Sequence, residues 1–132
     1  MSARPTVLIL AGGPDPEHVV SLDSARGIER ALRARGVFDP LVHEFETIDD
    51  DALAALPGDV IWPWLHGRFG EGGAMQRILE SDGRPFVGSG SKASAIAIDK
   101  DESKRAADAC ARELGLGRVR VSVTVPFDPS DD

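Results

Sequence analysis

Cysteine occurs once in the 132 residues, as Cys110, so no internal disulfide can form. That scarcity points to a reducing, cytoplasmic setting, and Cys110 itself reads as a small buried apolar residue rather than a reactive thiol. Histidine is nearly as sparse. His18, His43 and His66 lie far apart with no cysteine at metal-ligand spacing, so no metal site is expected. Also missing are a P-loop, a nucleophile elbow, an internal repeat and any low-complexity stretch. No apolar run is long enough to cross a bilayer, and the short one near the start leads into glycines and acids, which argues against a secretory signal. With 15 basic against 22 acidic residues the net charge is -7, which disfavours a nucleic-acid surface.

What is present alternates. Thr6 to Ala11 is a continuous apolar run closed by Gly12-Gly13, the pattern of a strand buried on both faces of a parallel sheet. Leu22, Ala25, Ile28 and Leu32 recur at helical spacing, predicting a helix over about 21–35 with Ser21 as cap and Gly36 as stop. Phe38 to Phe45 and Val60 to Leu65 read as further strands, with an acidic loop or helix approach at 46–51 between them. A helix ending near Asp82-Gly83, a short strand at Pro85 to Val87 and a small-residue helix over 91–98 follow. Asp99 and Glu102 form a capping pair for a helix to Leu114, with Gly115 as its stop. Val119, Val121, Val123 and Val125 alternate with polar residues, as in a half-exposed antiparallel strand, before a polar tail. The expected architecture is α/β: a three-layer sandwich around a mostly parallel sheet, with its strand-end loops on one edge.

Two of those strand ends carry charge on glycine-dense turns, and ligands in such sheets bind outside the carboxyl ends of the strands. The first is Gly12-Gly13-Pro14-Asp15-Pro16-Glu17-His18. Glu17 there has two readings, a charge complementing the helix dipole or an acceptor for a ligand ammonium. The second is His66-Gly67-Arg68-Phe69-Gly70-Glu71-Gly72-Gly73, whose glycines allow a ligand to approach the backbone closely or serve only to shape a turn. A third turn, Gly88-Ser89-Gly90-Ser91-Lys92-Ala93, loosely fits a dinucleotide fingerprint but stands after the wrong strand.

In order and spacing, Leu10-Ala11-Gly12-Gly13 with Glu17, Val20-Ser21-Leu22 and Ser24, then Leu65-His66-Gly67-Arg68 with Gly70-Glu71 and Gly73, then Val87-Gly88-Ser89-Gly90, Asp99-Lys100 and Lys104 resemble the N-terminal domain of D-alanine–D-alanine ligases of the ATP-grasp superfamily. The resemblance runs from Thr6 to Leu116. It implies a Rossmann-like domain, residues 1–116, that binds substrate in a cytoplasmic ligase joining two D-alanines through a D-alanyl phosphate for peptidoglycan synthesis. Residues 117–132 would begin the central ATP-grasp lobe or form a tail. The resemblance also implies ATP and Mg2+ as cofactors, held mainly by lobes beyond this domain, and a homodimer. It assigns the ammonium of the first D-alanine to Glu17, a place beside the substrates to His66 and Gly67, a brace on Glu17 to Ser21, and the nucleotide side to Lys100. Val19 and Gly72 depart from it, since family members often carry acids there. On this reading the isolated chain is inactive; the alternative is a standalone amino-acid-binding or regulatory domain derived from such a ligase.

Overall fold

The run Thr6–Gly12 forms β1, the central strand, and Val7 to Ala11 are all at most 5% exposed. This computed structural model describes residues 4–117. Helix α1 (His18–Arg35) follows, then β2 (Asp39–Phe45), the short α2 (Asp50–Ala54) and β3 (Val60–Pro63). The chain continues through α3 (Gly67–Glu71), α4 (Ala74–Asp82), α5 (Ser91–Ile98) and α6 (Lys100–Glu113). The sheet is parallel with order β2-β1-β3, and its register runs from Thr6 opposite Asp39 to Gly12 opposite Phe45. Val7 opposite Val60 begins the other ladder.

Alternation along β1 divides the core between the two faces of the sheet. Val7, Ile9 and Ala11 pack with Ala25, Leu22 and Ile28 of α1. Leu8, Leu10 and Ile61 pack on the opposite face with Leu53, Met75 and Leu79 from α2 and α4. Burial on both sides is why β1 is unbroken apolar sequence, and the α/β three-layer reading holds.

Several boundaries match local chemistry. Gly36 ends α1 at φ +67, and its N–H donates to the Arg33 carbonyl. The Asp99 carboxylate accepts from Asp101 and Glu102 N–H, each at 2.9 Å, and so caps α6. Glu102 does not complete a reciprocal box; its carboxylate takes Arg105 at 2.6 Å instead.

Other expectations need correction. The helix predicted from Ser21 begins one turn earlier, at His18, and Ser21 is buried inside it rather than capping it. Pro85 to Val87 does not form a full strand. Phe86 makes a single parallel bridge to Ile61, because Pro85 has no N–H and Gly88-Ser89-Gly90 ends the extended stretch. The second glycine-dense turn contains a short helix, α3. Cys110 is exposed: α6 packs on α5 and buries Ala111, which turns the adjacent residue outward. The predicted strand 119–125 lies outside the described residues.

Two ties place the later helices. The Glu80 carboxylate accepts from the Ser91 N–H at 2.7 Å and hydroxyl at 2.6 Å, fixing α5 to α4. At the opposite edge from the strand ends, Arg84 pairs with Asp82 at 2.6 Å and donates to the Leu53, Leu56 and Gly58 carbonyls. That guanidinium holds the Asp82 carboxyl below its ordinary pKa.

Candidate functional site at the strand ends

The β1 loop is pinned from below and from one side. Gly12, at φ +93, donates its N–H to Ser21 Oγ at 2.8 Å, and Gly13 N–H donates to the Phe45 carbonyl at 2.8 Å. Ser21 in turn donates its hydroxyl to the Trp64 carbonyl, so one buried side chain joins the ends of β1 and β3. His18 holds the β2 side, with Nδ1 2.8 Å from the Gly13 carbonyl and Nε2 3.3 Å from Glu44. Its ring lies so close over Gly12 that a Cβ there would fall 2.6 Å from Cε1.

The Gly13 carbonyl, and after it the Glu44 carboxylate, raise the His18 pKa above 6.5, since both accept from a doubly protonated ring. The stabilisation this gives is complete below pH 6.5 and disappears as pH rises through the folded-state value. Denaturant titrations on either side of that range should therefore show the wild-type protein losing stability with rising pH relative to His18→Gln. Parallel pH profiles would contradict the bond pattern.

The β3 loop begins with Trp64, whose N–H donates to the Leu10 carbonyl at 2.8 Å. His66 sits at the N-cap of α3 in extended conformation, φ -114 and ψ 165, without a side-chain cap bond. Its ring stands edge-on to Trp64, with centroids 6.1 Å apart and planes at 85°. Trp64 Nε1 and His66 Nε2 are both buried without a hydrogen-bond partner. Buried polar atoms are seldom left so, and such atoms mark places where a polar ligand or water would be favoured.

Asp15 reaches across from the first loop. Its Oδ2 accepts from Phe69 N–H at 2.8 Å, while Glu71 accepts from Gly67 N–H at 3.0 Å. Gly67 lies directly against Asp15 at φ +82, and a Cβ would come within 2.5 Å of the Asp15 side chain. Gly67→Ala should therefore cost about 1–3 kcal/mol from backbone strain alone, measured as a lower midpoint in urea. A neutral result would mean that the loop relaxes to a backbone conformation that alanine accepts and that Asp15 gives way to the added methyl.

On the far side of α3, Arg68 and Lys100 line a cleft of about 430 Å³ with Ile98, Asp99 and Asp101. The Asp99 carboxyl is held below its ordinary pKa, chiefly by the Glu102 N–H it caps.

The strand-end edge thus gathers Ser21, His66 and Gly67, with Glu17 exposed on the adjoining loop immediately before α1. Lys100 stands apart, across α3. Ser21, expected to brace Glu17, reaches the Glu17 carbonyl through its backbone N–H, while its hydroxyl serves Gly12 and Trp64. Sequence reasoning did not single out Asp15. The run Pro14-Asp15-Pro16 signals a turn, but nothing local announces a partner 54 residues away.

The chain is 44% identical over 103 residues to the D-alanine–D-alanine ligase of Polaromonas sp., covering 75% of this chain and 29% of that protein. The ligase of Ruegeria pomeroyi is 43% identical over 115 residues, covering 80% and 35%. The solved D-alanyl-alanine synthetase A of Vibrio cholerae superposes with a TM-score of 0.71 at 32% identity, covering 83% of this chain and 38% of that one. The chain belongs with the D-alanine–D-alanine ligases, matching their N-terminal domain. The Aeromonas hydrophila ligase structure agrees, with a TM-score of 0.72 at 26% identity over 98% of this chain and 52% of that one. The chain spans about a third of the length of the curated ligases it matches. No family model matches it. Among the described residues no helix is long and apolar enough to cross a membrane.

Proposed function

We propose that residues 1–116 are the first-substrate domain of a cytoplasmic, ATP-dependent ligase that joins two D-alanines for peptidoglycan synthesis. The observation that carries the reading is the joining of two loops at one strand-end edge, in a chain 44% identical to such a ligase. The Glu17 loop and the His66 loop meet there through Ser21 and Asp15.

In this reading the Glu17 carboxylate accepts the ammonium of the first D-alanine as charge-assisted hydrogen bonds. The unpartnered Trp64 Nε1 and His66 Nε2 offer polar atoms to the rest of the bound amino acid. Gly67 leaves room beside them. Holding one reactant in a fixed orientation is the main help that a condensation of two small molecules needs. Lys100 and Arg68, on one cleft, have the charge to hold a phosphate group. ATP, when bound, supplies the phosphoryl group that activates the first substrate. In this reading Mg2+ and the phosphates of ATP are held mainly by the remainder of such a ligase, and among the described residues no three His, Cys, Asp or Glu side chains converge to hold a metal ion.

Because the chain spans about a third of its relatives, the reading assigns substrate capture here and phosphoryl transfer to the rest of such a ligase. Titrating the 132-residue chain with D-alanine and with L-alanine, followed by amide shifts in NMR, tests it. Saturable shifts at Gly13, Glu17 and His66 with D-alanine alone are expected. Identical responses to both enantiomers, or none, would refute it. Adding the remaining two thirds of the Polaromonas ligase in trans should restore D-alanine-dependent ADP release that the chain alone lacks.

A further inference from the structure

We propose that Asp15 is a positioning residue for the substrate site, tying the loop that carries Glu17 to the helix that His66 caps. The proposal rests on the D-alanine reading above. Asp15 Oδ2 accepts from Phe69 N–H at 2.8 Å, the one hydrogen bond among the described residues that joins residues 13–17 to residues 66–73. The other anchors of the loop, Gly13 N–H to the Phe45 carbonyl and His18 to Gly13 and Glu44, face β2. Without Asp15 the tie to the β3 side is left to Ser21 at the base of the loop, between Gly12 and Trp64.

The local chemistry makes this tie specific. The first N–H groups of a helix have no partner within it, and His66 at the N-cap supplies none from its side chain. Asp15 meets that need from 54 residues upstream. Its own carbonyl accepts from His18 N–H at 3.1 Å, at the start of α1. One residue therefore links the starts of two helices whose flanking residues are Glu17 and His66. Pro14 and Pro16 restrict the backbone on either side of it. Gly67 at φ +82 gives the carboxylate its seat, because any Cβ there would collide with Asp15 Cβ, Cγ and Oδ2. Glu17 and His66 grip one small amino acid, and displacement by about 1 Å is enough to cost much of such an interaction.

The test uses the 132-residue chain as wild type, Asp15→Ala and Asp15→Asn, with D-alanine affinity from NMR titration and amide exchange at Phe69 as paired readouts. Asp15→Ala should weaken affinity about tenfold and expose the Phe69 amide to exchange. Asn keeps an acceptor oxygen, so Asp15→Asn should restore both. If Asp15→Ala does not fold, Asp15→Glu takes its place: a carboxylate one methylene further out cannot accept from Phe69 N–H in the same geometry, and a similar loss is expected. Wild-type affinity in Asp15→Ala or, where it replaces it, Asp15→Glu overturns the proposal, as does unchanged Phe69 exchange. Equal losses in Asp15→Ala and Asp15→Asn also overturn it, since charge and not the tie would then matter. A wild-type chain that binds no D-alanine refutes the functional reading itself and takes the proposal with it, an outcome visible before any variant is compared.

Discussion

Glu17→Ala is expected to remove most D-alanine binding from this chain while leaving its thermal midpoint where it was. The side chain is exposed, and its carboxylate makes no hydrogen bond or ion pair among the described residues. Glu17 stands at the N-cap of α1, yet offers no side-chain bond to the first turn. The fold therefore makes no use of this carboxylate except as a charge near a helix start. An ammonium ligand would use it fully: hydrogen bonds between charged groups are strong enough that deleting one partner lowers affinity about tenfold to a hundredfold. Calorimetry or NMR titration with D-alanine, run alongside thermal unfolding, separates the two readings of this residue. Lost affinity at constant midpoint supports the ammonium acceptor, and Glu17→Gln should show an intermediate loss. Retained affinity with a lowered midpoint would return Glu17 to the helix dipole.

The distinction between what a residue does locally and what it does across the fold also governs how far the sequence could be read. Gly36, Gly83 and Asp99 mark helix ends through bonds to residues within one turn, so composition and periodicity located them closely. The same holds for β1, whose burial on both faces shows directly as an apolar run. Ser21 misled because its type suits a cap, while its hydroxyl is engaged by Gly12 and Trp64. Cys110 misled because apolar character says which residues can be buried, not which face of α6 meets α5. At the site, Glu17, His66, Gly67, Ser21 and Lys100 were named from the order of motifs along the chain. Their neighbours were not legible, because they come from other strands. Asp15 meets Phe69 only once the parallel sheet has brought its strand ends together, and Arg68 shares a cleft with Lys100 only once α5 and α6 have packed on the earlier helices.

Ser21→Ala should destabilise the chain by roughly 2–6 kcal/mol, at or above the upper end of what a lost cap costs. Ser21 is fully buried, and its single oxygen satisfies two backbone groups: it accepts from Gly12 N–H at 2.8 Å and donates to the Trp64 carbonyl. Alanine leaves both groups unpaired, the Gly12 N–H buried and the Trp64 carbonyl partly so, at about 1–3 kcal/mol each. The loss falls on the joint between β1 and β3, so unfolding in urea should shift as a whole and amide exchange should quicken at Gly12. It also falls two residues before His66, so D-alanine affinity should drop in the fraction that remains folded. A lost N-cap behaves differently, costing about 0.5–2 kcal/mol and fraying only the first turn of its helix. A loss below about 1 kcal/mol, with faster exchange confined to the start of α1, would make Ser21 a local helix residue. Asp15 on Phe69 would then be the link that holds Glu17 and His66 at one edge.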